Sequence, residues 1–240
     1  MPAGTAHHLA FGMDGRKDVR LLSVTGAAER AAGGDAQALL RALMGPDADA
    51  LTLGDRDRLL AELHGDLYGW NVLADTRCTG CGAGFEMRFS LRALMEARQP
   101  DGSAPSGVVT VGDAQLRLPA VGDLAASPEA LVAKLTVAGD PPPLVEAEAA
   151  LEAADPAIEV DLSGTCPDCG VAQPVPFSMR GFFGAALARD LRFLMREVHL
   201  LARSYGWSLD SILSLTRAER QDLVRLILSD GASGAGRRAS

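Results

Sequence analysis

The chain has 240 residues and a formal net charge of −8, and 48% of its residues are hydrophobic. That length suits one large folded domain or two small ones, and the apolar fraction excludes wholesale disorder. No apolar run approaches the roughly 20 residues that cross a bilayer, and the N-terminus lacks the apolar stretch of a signal peptide, so we expect a cytoplasmic protein. The acidic balance argues against a general nucleic-acid binder, which neutralises phosphates with basic patches.

The first half of the chain is predicted to alternate short strands with helices. Apolar residues at helical spacing, capping residues and glycine or proline breaks set the boundaries. In chain order we predict a strand over 19–24, helices from 27, over 36–44 and over 52–68, strands over 70–74 and 85–89, and a helix over 91–97. Residues 1–18 are predicted to be irregular, which would leave His7 and His8 mobile. Asp55 and Asp57 are interpreted as acids that favour the N-terminus of their own helix.

The second half is predicted to be mostly helical. The predicted elements are a hairpin over 108–118, helices over 121–126, 127–137 and 144–154, strands over 158–162 and 171–177, and helices over 179–205, 208–213 and 216–229. Arginines alternate with acids on the long and last helices, a pattern typical of a solvated face, with a docking face for an acidic or helical partner as the alternative. Tyr205 and Trp207 are expected to pack in the core, although an exposed Trp207 would be a binding anchor.

Two C-x-x-C pairs carry the strongest chemical signal. Cys78 and Cys81 form the first pair, and Cys166 and Cys169 form the second. In a cytoplasmic chain such pairs indicate metal binding rather than disulfides, and four thiolates favour a closed, structural Zn²⁺ site. Free thiols and redox-active pairs are the alternatives. The sequence contains no nucleophile elbow, phosphate loop or dinucleotide-binding motif, so we predict neither a catalytic residue nor an organic cofactor.

The two cysteine pairs belong to an internal repeat with a shift of 88 residues. CTGCGAGFEMRFSLRALM (78–95) and CPDCGVAQPVPFSMRGFF (166–183) share Cys, Gly, Phe, Ser and Arg at equivalent positions. Each copy is predicted to be a strand, a cysteine turn, a strand and the start of a helix. Two such hairpins facing each other would form a zinc ribbon.

The predicted fold is therefore α+β, with a central split zinc ribbon, flanking helices and a C-terminal helical hairpin. The predicted segments are 1–50 (N-terminal strand and helices), 51–98 (helix and first ribbon half), 99–154 (hairpin and helical insert), 155–180 (second ribbon half), 181–230 (C-terminal helical region) and 231–240 (disordered tail).

Several segments, spread over most of the chain, also follow the order of a known family. They are VRLLSVTGAAE (19–29), LTLGDRDRLL (51–60), the first C-x-x-C-G, RLPAVGDL (117–124), DPAIEVDLSGTCPDCG (155–170) and EVHLLARSYGWSLDSILSLTRAER (197–220). In this order they resemble the T-even-phage-type baseplate hub assembly chaperone family, found in contractile-tailed phages and related contractile injection systems. The resemblance implies a non-enzymatic assembly factor that handles the baseplate hub or the tape-measure protein.

Two other functions stay open at this point. The chain could be a permanent structural component of the baseplate. It could also be a zinc-ribbon nucleic-acid-binding protein, because Arg77, Arg88, Arg92 and Arg98 lie near the first cysteine pair. The preferred interpretation expects protein partners, and expects neither a nucleic acid, a membrane nor a small-molecule substrate.

Overall fold

The computed structural model of the chain describes residues 4–13, 16–123 and 127–236, with side chains up to residue 230. Its helices are α1 (Gly26–Ala32), α2 (Ala36–Met44), α3 (Leu53–Tyr68), α4 (Leu91–Ala97), α5 (Pro128–Leu135), α6 (Leu144–Ala154), α7 (Met179–Tyr205), α8 (Leu209–Leu213) and α9 (Arg217–Gly236). Its strands are β1 (Thr5–Met13), β2 (Arg16–Leu21), β3 (Asn71–Arg77), β4 (Gly84–Ser90), β5 (Val108–Val111), β6 (Ala114–Arg117), β7 (Thr136–Ala138), β8 (Glu159–Thr165) and β9 (Ala172–Ser178). The mixture of helices and strands confirms the coarse α+β prediction. None of the described helices is long and apolar enough to cross a bilayer.

The described residues form two compact units. The helical unit comprises residues 4–5, 20–45 and 184–236, and the hairpin unit comprises residues 6–19 and 46–183. The strands form small sheets, which pair β1 with β2, β3 with β4, β8 with β9, and β5, β6 and β7 with one another. The predicted segments are consecutive in the sequence, whereas each of these units combines stretches that are distant along the chain.

Each unit has its own apolar core. In the hairpin unit, the buried side chains of the β5–β6 hairpin pack against those of α5 and α6 around Leu116, which is fully buried. In the helical unit, α7 and α8 share a core around Leu201 and Ile212. The apolar stripe of α7 therefore packs as its helical spacing predicts.

Three segments differ from the prediction. Residues 5–13 form β1, and His7 is buried beside Glu62 while His8 bonds Asp18, so neither histidine lies in an irregular segment. Residues 136–138 form β7 instead of ending a helix, because β-branched residues there pair with the free edge of β6. Helix α9 continues to Gly236 in place of a tail disordered from residue 231, since no proline interrupts it; residues 237–240 lie outside the described part of the chain.

The corner between α7 and α8 is also different from the prediction. Tyr205 and Trp207 stack on each other with ring centroids 5.0 Å apart, and each is 41% exposed. Helix α7 ends at Tyr205, and Gly206 turns the backbone at φ +69°. The prediction that both aromatics pack in the core was therefore wrong. Ile212 and Leu213 of α8 occupy the core instead.

Buried charges join α9 to α7 in addition to the apolar core that the two helices share. Arg217 donates to Glu29 and to Asp190, with N···O distances of 2.8 Å for each. Arg220, which is 1% exposed, donates to Glu29 and to Glu197. Helix α8, which follows α7 in the chain, packs against α1. Two of the eight arginines on α7 and α9 are therefore engaged inside the helical unit.

The first turn of α3 ties together distant parts of the hairpin unit. Thr52 caps the helix as predicted, since its hydroxyl accepts from the Asp55 amide at 3.3 Å. The buried Asp55 carboxylate, however, accepts from the backbone N–H groups of residues 10, 11 and 12 at 2.7–3.1 Å. The Asp57 carboxylate accepts from the Ile158 amide at 2.9 Å. The interpretation of these acids as favouring their own helix N-terminus is therefore incomplete, because both carboxylates bind segments far along the chain.

Two further groups complete this junction. Asp155 accepts from the Gly54 amide at 2.8 Å and from Arg58 at 3.1 Å. A Cβ at position 54 would lie 2.0 Å from a carboxylate oxygen of Asp155, so only glycine fits there. Burial raises the pKa of Asp57, and the adjacent Arg56 guanidinium opposes that shift.

The Asp55 junction predicts a large effect on stability. Asp55→Ala would leave three backbone donors without their acceptor, so we expect the free energy of unfolding to fall by about 2–3 kcal/mol. Chemical denaturation followed by circular dichroism measures this change.

Asp66→Ala is the matched control, because Asp66 is an exposed acid on the same helix. We expect it to change stability by less than about 0.5 kcal/mol. Equal effects of the two substitutions would contradict the structural role of Asp55.

Candidate metal centre

The two cysteine hairpins have the same backbone pairing. In β3–β4, Asn71 lies opposite Ser90 and Arg77 opposite Gly84, and in β8–β9 the pairs Glu159–Ser178 and Thr165–Ala172 occupy the positions 88 residues later. Each hairpin also runs directly into a helix, through bonds of 2.9 Å from Leu91 N to Trp70 O and from Met179 N to Ile158 O. The predicted repeat of strand, turn, strand and helix is confirmed.

The turns that carry the cysteines are equivalent as well. The Cys78 amide donates to Ala83 O, and the Gly82 amide donates back to Cys78 O. The second turn has the same two bonds, between Cys166 and Val171 and between Gly170 and Cys166. Gly82 and Gly170 have φ values of +76° and +73°, a backbone conformation that glycine adopts without strain. The glycine after each pair is thus needed to close the turn.

All four sulfur atoms meet at one place. The Sγ atoms of Cys78 and Cys169 are 3.5 Å apart, those of Cys81 and Cys166 are 3.8 Å apart, and all four lie within 4.8 Å of one another. A disulfide would require about 2.0 Å, and all four cysteines are free. Four sulfurs around a tetrahedral ion with bonds of about 2.3 Å would be about 3.8 Å apart. The arrangement is therefore compatible with one metal ion bound by the four predicted cysteines.

The hairpins approach each other with two-fold pseudosymmetry. The Cys78–Cys169 contact becomes the Cys166–Cys81 contact when each residue is replaced by its repeat equivalent. Phe89 and Phe177 are themselves equivalent, and their rings meet edge to face at 5.0 Å. The repeats therefore contact each other through the same surface, as the subunits of a symmetric dimer do.

The second layer around the sulfurs breaks this symmetry. Gln173 is 6% exposed, and its side-chain oxygen accepts from the amide and the hydroxyl of Thr79 at 2.7 and 3.0 Å. Its Nε2 donates to Arg77 O at 2.8 Å. The equivalent position in the first hairpin is Phe85, which packs with Cys78 and Cys166. Gln173 thus holds the two residues on either side of Cys78 from the opposite hairpin.

The sulfurs differ in environment. Cys78 and Cys166 are buried, whereas Cys81 and Cys169 are exposed. Hydrogen bonds from the backbone N–H groups of Cys81 and Gly80 lower the pKa of Cys78 to about 6. These hydrogen bonds favour the thiolate of Cys78, which is the form of cysteine that binds metal.

The basic residues near the first pair do not form a continuous free patch. Arg92 lies over the Trp70 ring, 4.5 Å from its centroid, and Arg98 donates to Ala157 O and pairs with Glu152. Arg77 and Arg88 are exposed, with Arg88 close to Glu86. Half of the arginines that favoured a nucleic-acid site are thus used within the hairpin unit.

No family model, no curated protein and no solved structure matches this chain. Among the described residues, the four cysteines are the one group of three or more His, Cys, Asp or Glu side chains that could hold a metal ion.

Gln173 gives a direct test of the second layer. Gln173→Leu keeps the approximate volume and removes all three hydrogen bonds to residues 77 and 79, so we expect the affinity for zinc to fall by about 10- to 100-fold. Competition against a chromophoric chelator measures the affinity on the folded, reduced protein.

Gln115→Leu is the matched control, because Gln115 is an exposed glutamine on β6, outside the two cysteine hairpins. Its zinc affinity should equal that of the unaltered chain. A wild-type affinity in the Gln173→Leu protein would show that the hydrogen bonds do not organise the site.

Proposed function

We propose that the four cysteines bind one structural zinc ion and complete a split zinc ribbon. The observation that carries this proposal is the meeting of four free sulfurs from two equivalent turns. Four thiolates in a tetrahedral arrangement match the ligand preference of zinc and leave no position open for a substrate. Zinc would supply a permanent cross-link between the hairpins, and the chain's own residues would hold it through Cys78, Cys81, Cys166 and Cys169.

The architecture explains why such a cross-link is useful. Each cysteine hairpin has only two strands, and an isolated two-stranded hairpin is marginally stable in water. The cysteine turns are also separated by a long stretch of chain, so a metal bond between them offsets a few kcal/mol of loop-closure entropy. The buried acids of the hairpin unit are consistent with a structural role too, since Asp55, Asp57 and Asp155 all accept backbone N–H groups.

We further propose that the protein is a non-enzymatic, cytoplasmic assembly factor for a contractile phage tail or injection system. The order of the segments that resemble the baseplate hub assembly chaperones supports this proposal, and several of these segments form features of the structure described above. LTLGDRDRLL provides the α3 junction, and in RLPAVGDL the Arg117 guanidinium bonds both oxygens of Asp123 and holds the pKa of that carboxyl well below its usual range. The C-terminal segment provides the exposed aromatic corner at Tyr205 and Trp207. The proposed partner is the hub or the tape-measure protein.

Co-expression tests this function. The hub and tape-measure proteins are taken from the gene cluster that encodes this chain, and each is produced with and without it. We expect the chain to raise the soluble yield of one of them several-fold, to co-purify with it, and to be absent from finished particles.

A Cys78→Ser/Cys166→Ser chain, which cannot complete the sulfur cage, is the control and should lose this effect. Retention of the chain in purified particles at fixed stoichiometry would favour a permanent baseplate component. A gene cluster without sheath, tube and tape-measure genes would contradict the proposed function altogether.

A further inference from the structure

The outer edge of β4 is a row of backbone groups that no described strand pairs with. A hydrogen bond from the Cys78 amide to Ala83 O closes the β3–β4 hairpin at its turn. Hydrogen-bonded and non-hydrogen-bonded pairs alternate along an antiparallel ladder, so the N–H and C=O groups of Glu86 and Arg88 point away from β3. Among the described strands, only β3 pairs with β4. The outward groups of β4 therefore form a free sheet edge.

The equivalent edge of the second cysteine hairpin is closed. The positions 88 residues after Glu86 and Arg88 are Pro174 and Pro176, which occupy the same register in β8–β9. Proline has no backbone N–H, so β9 cannot donate a hydrogen bond from either position. Edge prolines prevent a sheet from pairing with another chain. The two copies of the repeat thus differ, because one edge excludes a further strand and the other can accept one.

The sequence of β4 is complementary to itself in antiparallel orientation. When two copies of GFEMRFS (84–90) are aligned antiparallel about Met87, Glu86 of each copy lies opposite Arg88 of the other. These are also the positions whose N–H and C=O groups point outward, so each Glu86–Arg88 pair would exchange two backbone hydrogen bonds. The side-chain charges and the backbone pattern therefore favour the same register.

The side chains of β4 suit this pairing on both faces of the strand. Those of Glu86 and Arg88 are 58% and 78% exposed, and within one chain they form only a loose pair with an N···O distance of 3.9 Å. On the opposite face, Met87 and Phe89 are half-buried. The same register would place Met87 beside its own copy and Phe89 beside Phe85 of the other chain. One face would thus gain ion pairs and the other apolar contacts.

The charge around this edge also permits two copies to meet. The chain as a whole has a formal net charge of −8. Within β3 and β4, however, Asp75 and Glu86 are balanced by Arg77 and Arg88. Because screening by salt limits the reach of more distant charges, the neutral strands can approach without strong repulsion.

We propose that two copies of the chain associate through their β4 edges and form a continuous four-stranded antiparallel sheet. The strand order would be β3–β4–β4–β3, with a two-fold axis that passes between the two Met87 residues. Pairing along one short edge buries a small interface, so we expect a reversible dimer with a micromolar dissociation constant. This proposal depends neither on the bound metal nor on the assembly role, so it can fail separately from them.

Sedimentation equilibrium of the full, reduced chain tests the association. We expect the average mass to rise from 25.0 kDa towards twice that value as the protein concentration passes through the micromolar range. Hydrogen exchange over the same range should show that the amides of Glu86 and Arg88 exchange more slowly in the dimer.

Charge reversal tests the register. Glu86→Arg would place guanidinium groups opposite each other, and Arg88→Glu would do the same with carboxylates, so each variant alone should dimerise more than about ten-fold more weakly. A mixture of the two variants should form a heterodimer, because every arginine at these positions then faces a glutamate. Glu148→Arg is the matched control, since it makes the same charge change at an exposed position on α6 and should leave the dimer unchanged.

A proline variant tests the edge itself. Glu86→Pro/Arg88→Pro gives β4 the prolines that β9 already has, and it keeps the net charge of the chain. It removes outward donors and no hydrogen bond of the β3–β4 ladder, so we expect a monomer with the circular dichroism spectrum of the unaltered chain. If this variant does not fold, the charge-reversal mixture still decides the question.

Several results would overturn the inference. They are a chain that stays monomeric at about 1 mM, a dimer that the single charge reversals do not weaken, and reversal variants that do not associate when mixed. A folded proline variant that dimerises as the unaltered chain does would also contradict it. Slower exchange of the Glu86 and Arg88 amides in a monomeric chain, seen only after the hub protein is added, would assign the edge to a strand of that partner.

Discussion

The hairpin unit depends on the meeting of two sulfur pairs that are distant in the chain. Each pair lies at the tip of a two-stranded hairpin. The hairpins contact each other through the sulfurs, through Phe89 and Phe177, and through Gln173. The pseudo-two-fold arrangement explains why equal turns with equal glycines are required on both sides. One repeat alone would be an incomplete structure, since it holds only two of the four sulfurs that meet.

The rest of the hairpin unit is joined by buried carboxylates. Asp55 and Asp57 lie in one turn of α3, yet they bind the backbone of β1 and the start of the second cysteine hairpin. Because Asp57 holds the Ile158 amide immediately before β8, this helix turn positions the second hairpin for its meeting with the first. The carboxylates and the sulfurs thus act on the same chain segment from its two ends.

Much of this structure could be predicted from the sequence, and the exceptions have physical reasons. Helices α2, α4, α6 and α7 agree with prediction because their spacing, caps and breaks are local signals. The spacing of the cysteines and the repeat with a shift of 88 residues were sufficient to predict that the four sulfurs lie close together. β1 was missed because it is stabilised by β2 and by Asp55, and the sequence of residues 5–13 contains no local pattern that indicates either partner. Gln173 was missed because its role depends on a neighbour 94 residues earlier, and no local pattern distinguishes it from a surface glutamine.

X-ray absorption spectroscopy of the bound metal tests the central claim most directly. The chain is purified under reducing conditions without chelator, and its metal content is determined. The extended fine structure beyond the absorption edge of the metal then gives the type, number and distance of its nearest neighbours. We expect one zinc per chain with four sulfur neighbours at about 2.3 Å. A protein that contains no bound metal, or a bound metal with fewer than four sulfur neighbours, would contradict the account.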